Sequence, residues 1–276
     1  PFDSVAMPPL MDVMTALLLA FVLGIALSRI KGQVLRNALG EFRDVVGMLI
    51  EKAIIPLLPL YILCIFINIS SLGQVVEIMS VFVKIIAVIF VLHIVLLVFY
   101  YVIAAAIAGG NPFRYLRNML PAYLTALGTQ SSAATIPVTL QQTIKNGVDK
   151  DIAGFVIPLC ATVHLAGSMM KITACAIAIM MITGMPFDFG LMLGFVMLLG
   201  VTMVAAPGVP GGAIMAALGV LASVLGFDET LQALMIALYI AMDSFGTACN
   251  VTGDGAIAIV INKINKNRKK NNTVTE

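Results

Sequence analysis

The sequence predicts an all-α polytopic membrane protein in which transmembrane helices enclose two re-entrant helical hairpins. Three observations lead there. Hydrophobic residues make up 61% of the 276 positions and charged residues 11%, whereas a soluble domain carries nearer a quarter charged. Several apolar runs reach the ~20 residues that cross a bilayer. Two further apolar segments are each broken at the centre by small, hydroxyl or Gly/Pro residues, leaving halves too short to span. A mean hydropathy of +1.06 calls for lipid around much of the surface.

Residues 10–27 form the first expected span, followed by a basic linker with Arg29, Lys31 and Arg36. Residues 45–69 form the second, kinked at Pro56 and Pro59. Val75–Ala108 is the third, ended by Gly109-Gly110-Asn111-Pro112. Residues 115–144 are apolar on either side of Gly128-Thr129-Gln130-Ser131-Ser132-Ala133-Ala134-Thr135-Ile136-Pro137. Backbone groups in such a run need protein or water partners at membrane depth, which reads as a hairpin with serines at its tip. Residues 151–183 form a span interrupted at Pro158 and again from His164 to Lys171. Residues 187–225 form a second hairpin around Ala205-Ala206-Pro207-Gly208-Val209-Pro210-Gly211-Gly212. Residues 230–264 form the last span, with Asp243, Asn250, Thr252 and Asp254 in its middle.

The order hairpin, helix, hairpin, helix is an internal repeat of roughly 75 residues. Paired interrupted segments are the sequence mark of a transporter binding site near the midplane. The basic residues Lys263, Lys266, Arg268, Lys269 and Lys270 favour a cytoplasmic C-terminus, or form a solvated disordered tail. The chain opens Pro1-Phe2-Asp3 without initiator Met, basic n-region or cleavage site, and reads as a fragment without a signal peptide. Cys64, Cys160, Cys175 and Cys249 lie in apolar stretches and read as small apolar residues, without a disulfide or zinc role.

Asp243 is the costliest residue to place in lipid. An ionised carboxylate there suits a cation or a substrate ammonium, the alternative being a structural pair. Thr247, Asn250 and Asp254 follow it at helical spacing on one face, which otherwise serves as a polar seam between helices. Ser131 and Ser132, with the amides of a helix start, suit a carboxylate; small residues also simply permit a tight turn. The Gly/Pro centre of the second hairpin suits a lid or gate. Lys171 has no acid near it in sequence. It is expected to pair with Asp243 or Asp254, or to take the place of a bound cation, unless it snorkels. His164 is either a hydrogen-bonded structural residue or a proton relay. Nucleotide-binding, metalloprotease and hydrolase motifs are missing, so no enzyme is expected, and uphill transport would draw on an ion gradient.

These residues resemble the glutamate transporter family, the dicarboxylate/amino acid:cation symporters. Gln130-Ser131-Ser132-Ala133-Ala134-Thr135-Ile136-Pro137-Val138-Thr139 is similar to its serine-rich first hairpin, and Gly208-Val209-Pro210-Gly211 to its second. Asp243-Ser244-Phe245-Gly246-Thr247-Ala248-Cys249-Asn250-Val251-Thr252-Gly253-Asp254 is similar to its last-helix motif. The resemblance runs from about the family's fourth helix onward. It implies an elevator fold, a homotrimer, a partial scaffold over residues 1–74, a transport domain over 75–264 and a basic cytoplasmic tail over 265–276. It implies substrate contacts at Ser131, Ser132, Ser168, Val209, Gly211, Asp243, Gly246, Thr247 and Asn250, with Asp243 holding the amino group and Ser132 the α-carboxylate. Thr162, His164, Lys171, Asn250 and Asp254 fall among coupling-ion positions, with sodium at Asn250 and Asp254.

Two departures modify that expectation. The arginine of acidic-substrate members is Gly246 here, and Gln130 stands where some carry another. A substrate carboxylate without its arginine is costly to bury, so a neutral amino acid is expected. The sodium motif Asn-Met-Asp-Gly-Thr becomes His164-Leu165-Ala166-Gly167-Ser168, losing its carboxylate at Ala166. The Lys171 ammonium is expected to replace a sodium ion there. Coupling to fewer sodium ions, to protons, or exchange alone would follow. The alternatives are a sodium- or proton-coupled acidic amino acid or dicarboxylate symporter, an ion channel, or a noncatalytic membrane subunit.

Overall fold

The computed structural model describes residues 13–49, 75–206, 208 and 210–274, with scattered positions between 52 and 67. Val209 and nearly half of the expected second span lie outside the described residues. The chain divides into two compact units, Pro1–Leu58 and Pro59–Glu276.

The first unit contains α1 (Val13–Arg29) and α2 (Val34–Leu49). The helix α2 replaces much of the basic linker expected there. Val34, Leu35, Leu39, Phe42, Val45, Val46 and Leu49 recur at helical spacing among Arg36, Asn37, Glu41, Arg43 and Asp44. That pattern makes an amphipathic helix, which a search for unbroken apolar runs overlooks.

In the second unit, α3 (Val75–Ala108) has the expected bounds. After it, Asn111 caps α4 (Pro112–Asn118) by accepting the Phe113 and Arg114 N–H groups. The first hairpin is α5 (Leu120–Thr129) and α6 (Ser132–Lys145). Asn118 Nδ2 donates to Asn146 Oδ1 (2.8 Å) and Asn146 Nδ2 to the Tyr115 carbonyl (3.1 Å), so α6 returns to where α5 began. The turn is Gln130 and Ser131. Gln130 has φ 52°, the one positive φ outside glycine among the described residues.

Next come α7 (Lys150–Val163) and α8 (Ala166–Thr183), parted at His164 and Leu165. The expected interruption at Pro158 does not occur: the proline lies inside α7. A proline removes one N–H and can bend a packed helix without ending it. The second hairpin is α9 (Phe189–Met203) and α10 (Gly212–Leu225), packed together. Then α11 (Glu229–Ala241) and α12 (Asp243–Val274) part at Met242. The single span expected over 230–264 is therefore two helices, and Asp243 opens the second instead of lying mid-helix. The basic tail is helical to Val274, because extending an existing helix costs far less than starting one.

Among the described residues, Phe82–Ala108, Lys150–Thr183 and Asp243–Arg268 are long and apolar enough to cross a membrane. The halves of the second hairpin and α11 are apolar but shorter. The central element is α12, which packs on α3, α5, α6, α7 and α8. Small residues allow this close approach. A Cβ on Gly255 would lie 2.7 Å from Met119 Cε and 2.8 Å from the Tyr101 hydroxyl. Around it Tyr101, Ala104, Met119, Ala122, Val156 and Ile157 build an apolar cluster. A 77-residue offset relates Ser131 to Gly208 at the two hairpin tips, and the breaks at Leu165 and Met242 stand at a similar spacing.

Candidate functional site

The two hairpin tips touch. Ser131 Oγ donates to the Gly208 carbonyl at 3.0 Å while accepting the Ala134 N–H at 3.3 Å, which caps α6. Behind the contact lies a chamber bounded by Gln130, Ser132, Ser168, Tyr239, Asp243 and Asn250, with Thr247 and Gly208 at its edges. Its free volume is about 10 Å³, about enough for one water. The chamber has no room for an amino acid in this conformation.

Asp243 binds in two directions. Its Oδ2 accepts the Gly211 N–H of the second hairpin at 2.7 Å. Its Oδ1 accepts from Lys171 Nζ at 3.2 Å. Lys171 is fully buried, and its ammonium also donates to the Tyr239 and Met242 carbonyls, both at 3.3 Å, from the C-terminal end of α11. It stands 3.3 Å from the centroid of the Tyr239 ring. A buried cation thus has three oxygens and an aromatic face, as desolvation demands. Of the two acids open to Lys171 in the sequence, it pairs with Asp243. A Cβ built on Gly246 would lie 3.0 Å from its Nζ, so the absent side chain is what leaves room for the lysine.

Asn250 ties α12 to the start of α8. Its Oδ1 accepts the Gly167 N–H (2.8 Å) and the Ser168 N–H (3.3 Å), and its Nδ2 donates to Ser168 Oγ (3.0 Å). Tyr239 OH donates to the same Ser168 oxygen at 3.1 Å. Thr247 Oγ1 donates to the Gln130 carbonyl at 3.4 Å, joining α12 to the first hairpin. Asp243, Thr247 and Asn250 therefore share the chamber face, as their spacing indicated.

Asp254 is buried one turn beyond Asn250 on the same face of α12. Its Oδ1 meets His164 Nδ1 at 2.8 Å, and His164 Nε2 meets Tyr100 OH at 3.3 Å. Asp254 Oδ2 has no hydrogen-bond partner. The expected sodium ligands Asn250 and Asp254 are thus separately engaged. The Asn250 oxygen faces two amides, which no cation could share. Thr162 does not join either cluster: it is exposed and donates to the Leu159 carbonyl within its own helix.

Tyr239 is the chief residue that sequence reasoning passed over. Its one signal was position, an aromatic hydroxyl one helical turn before Asp243. Tyr100, Tyr101 and His93 of α3 were passed over as well. They bond respectively His164, the Thr252 carbonyl and the Gly167 carbonyl.

Comparison with known proteins gives a consistent picture. Residues 3–264 match the sodium:dicarboxylate symporter family. Human excitatory amino acid transporter 5 is 33% identical over 167 residues, which are 60% of this chain and 30% of that protein. Rat excitatory amino acid transporter 1 is 32% identical over 165 residues, 59% of this chain and 30% of that protein. A Caenorhabditis elegans excitatory amino acid transporter is 32% identical over 152 residues, 55% and 30% respectively. The chain thus spans about 30% of the length of these relatives. They are named as transporters and not as enzymes. With its apolar helices, this is a multi-pass membrane chain, and it belongs to the sodium:dicarboxylate symporter family.

Proposed function

We propose that this chain is the core of a secondary active transporter for a small amino acid, working as an elevator. The observation that carries the reading is Asp243, a carboxylate 3% exposed, held where the tips of two helical hairpins converge. The Lys171 ammonium answers that carboxylate in this conformation, and a substrate ammonium is a group of the same charge that can take its place. The hydroxyl of Ser132 at the start of α6 is suited to the α-carboxylate. Gly211 and the residues before it serve as the gate. Residues 75–264 are the moving domain and residues 1–74 part of the scaffold, in a homotrimer.

Charge supports a cytoplasmic C-terminus. Arg114, Arg117, Lys145, Lys150, Lys263 and Lys266 gather at the end where α6 and α12 finish, joined there by Asn146 to Tyr115 and by Asn262 to Asp149 and Gly147. Asp188 and Asp228 cap helices that start from the other end. Basic ends face the cytoplasm.

Sodium coupling is altered in this reading. The Lys171 ammonium, with its three oxygens, takes a place suited to a metal cation, and Asn250 is committed to amides. The substrate is a neutral amino acid, since no arginine stands at Gly246. The Lys171 ammonium beside Gly246 favours a second reading, an acidic amino acid or dicarboxylate whose extra carboxylate meets that lysine.

Reconstituted vesicles test these statements. Saturable counterflow of a labelled amino acid, lost in Asp243→Ala, is expected of a carrier; unsaturable ionic current would mark a channel. Flux that persists without a sodium gradient is expected, and strict dependence on several sodium ions per cycle would overturn the altered coupling. Competition by aspartate over alanine or serine would decide for the acidic substrate.

A further inference from the structure

We propose that Lys171 is a tethered occupant of the amino-group subsite, holding Asp243 when no substrate is bound and thereby letting the empty carrier close and return. The inference rests on the carrier reading above and concerns how its empty site is managed.

The chamber holds about one water's volume, yet Asp243 is neutralised and its oxygens are both engaged. One oxygen meets Lys171 Nζ at 3.2 Å, and the other meets the Gly211 N–H of the second hairpin at 2.7 Å. The carboxylate therefore joins α8 to the gate across 32 residues on one side and 72 on the other. A substrate ammonium bound at Asp243 must replace Lys171 there, because two cations on one buried oxygen would repel. The displaced ammonium keeps the Tyr239 and Met242 carbonyls and the Tyr239 ring, so it is not stranded. Gly246 supplies the room for this movement, since even a methyl group there would meet Nζ at 3.0 Å.

A carrier with an ionised, unpartnered carboxylate cannot readily bury its empty site. One that provides its own cation can, without borrowing an ion from either side. The two halves of the cycle then separate in experiment. Exchange needs only loaded movements, whereas net flux needs the empty return.

The test measures both in vesicles carrying the reconstituted protein, with labelled amino acid, for wild type, Lys171→Met and Gly246→Ala. Lys171→Met should lower the half-saturating substrate concentration of exchange, because the internal competitor is gone, and reduce net efflux relative to exchange by about tenfold or more. Gly246→Ala, which crowds the ammonium while leaving both charges in place, should move the ratio the same way by a smaller factor. It decides the matter if Lys171→Met does not yield folded protein. An unchanged ratio of net flux to exchange in the folded variants would overturn the latch while leaving the carrier reading intact. A wild-type protein without any exchange would overturn both.

Discussion

Ser131 and Gly208, 77 residues apart, are joined by a hydrogen bond of 3.0 Å from hydroxyl to carbonyl. The same serine oxygen caps α6 through the Ala134 N–H, so one atom starts a helix and closes the gap between two hairpins. Losing a serine cap costs about 1 kcal/mol, and the lost contact between tips adds about as much. Ser131→Ala should therefore lower the melting temperature by about 4–8 °C. Ser131→Thr, which keeps the hydroxyl, should recover most of it. Equal melting of the alanine and threonine variants would show that the contact contributes nothing.

Glycines on α8 and α7 should respond in opposite senses. A Cβ on Gly167 would stand 2.7 Å from Cys249 Cβ and 2.8 Å from the Gly246 carbonyl. The second neighbour is backbone and cannot swing aside, so Gly167→Ala should destabilise by about 1–3 kcal/mol. A Cβ on Gly154 meets nothing within 4 Å. Gly154→Ala removes backbone freedom from a helix interior and should stabilise by up to about 1 kcal/mol. Melting of the two purified variants side by side checks the contrast, and a Gly167→Ala protein as stable as the parent would contradict the close packing of α8 on α12.

The hairpins were legible because their causes are local. Small, hydroxyl, glycine and proline residues interrupt apolar runs at 128–137 and 205–212; the first turn takes only Gln130 and Ser131, and Ser132 to Pro137 open α6. The break at Met242 was not legible, because Tyr239-Ile240-Ala241-Met242-Asp243 contains no breaker. The helix parts where the Tyr239 and Met242 carbonyls receive an ammonium from a lysine some 70 residues earlier, a cause sequence spacing does not record. The polar face of α12 was legible, because helical spacing sets Asp243, Thr247, Asn250 and Asp254 on one stripe; the partners of its two ends, Lys171 at Asp243 and His164 at Asp254, come from distant helices and were not.

Asn250 should prove as much a structural residue as a ligand. It makes three hydrogen bonds to the first turn of α8, all buried. Asn250→Ala leaves the Gly167 and Ser168 amides without their partner, at about 1–3 kcal/mol for each, while Ser168 Oγ keeps Tyr239. A loss of about 3 kcal/mol or more in denaturation is expected, in the absence of any substrate or sodium. Asn250→Asp should lose less, because the carboxylate still accepts from Gly167 and Ser168. If Asn250→Ala melts like the parent and only transport suffers, the residue serves the substrate alone.

The last expectation concerns Asp254, which is 1% exposed with one oxygen on His164 and the other unpartnered. Removing the histidine leaves a buried carboxyl without its one hydrogen-bond partner, at about 1–3 kcal/mol for such an unsatisfied group. Asp254→Asn removes the charge with the shape kept. His164→Ala should thus melt well below Asp254→Asn. The same proteins probe sodium directly. A cation site filled at 100 times its dissociation constant would add about 2.7 kcal/mol of stability, a shift of about 5–10 °C at this chain length. With Asn250 committed to amides, exchange of sodium chloride for potassium chloride at equal ionic strength should leave the wild-type melting temperature nearly unchanged. A shift of several degrees in the wild type that disappears in Asp254→Asn would put sodium at this carboxylate after all, with His164 displaced from it.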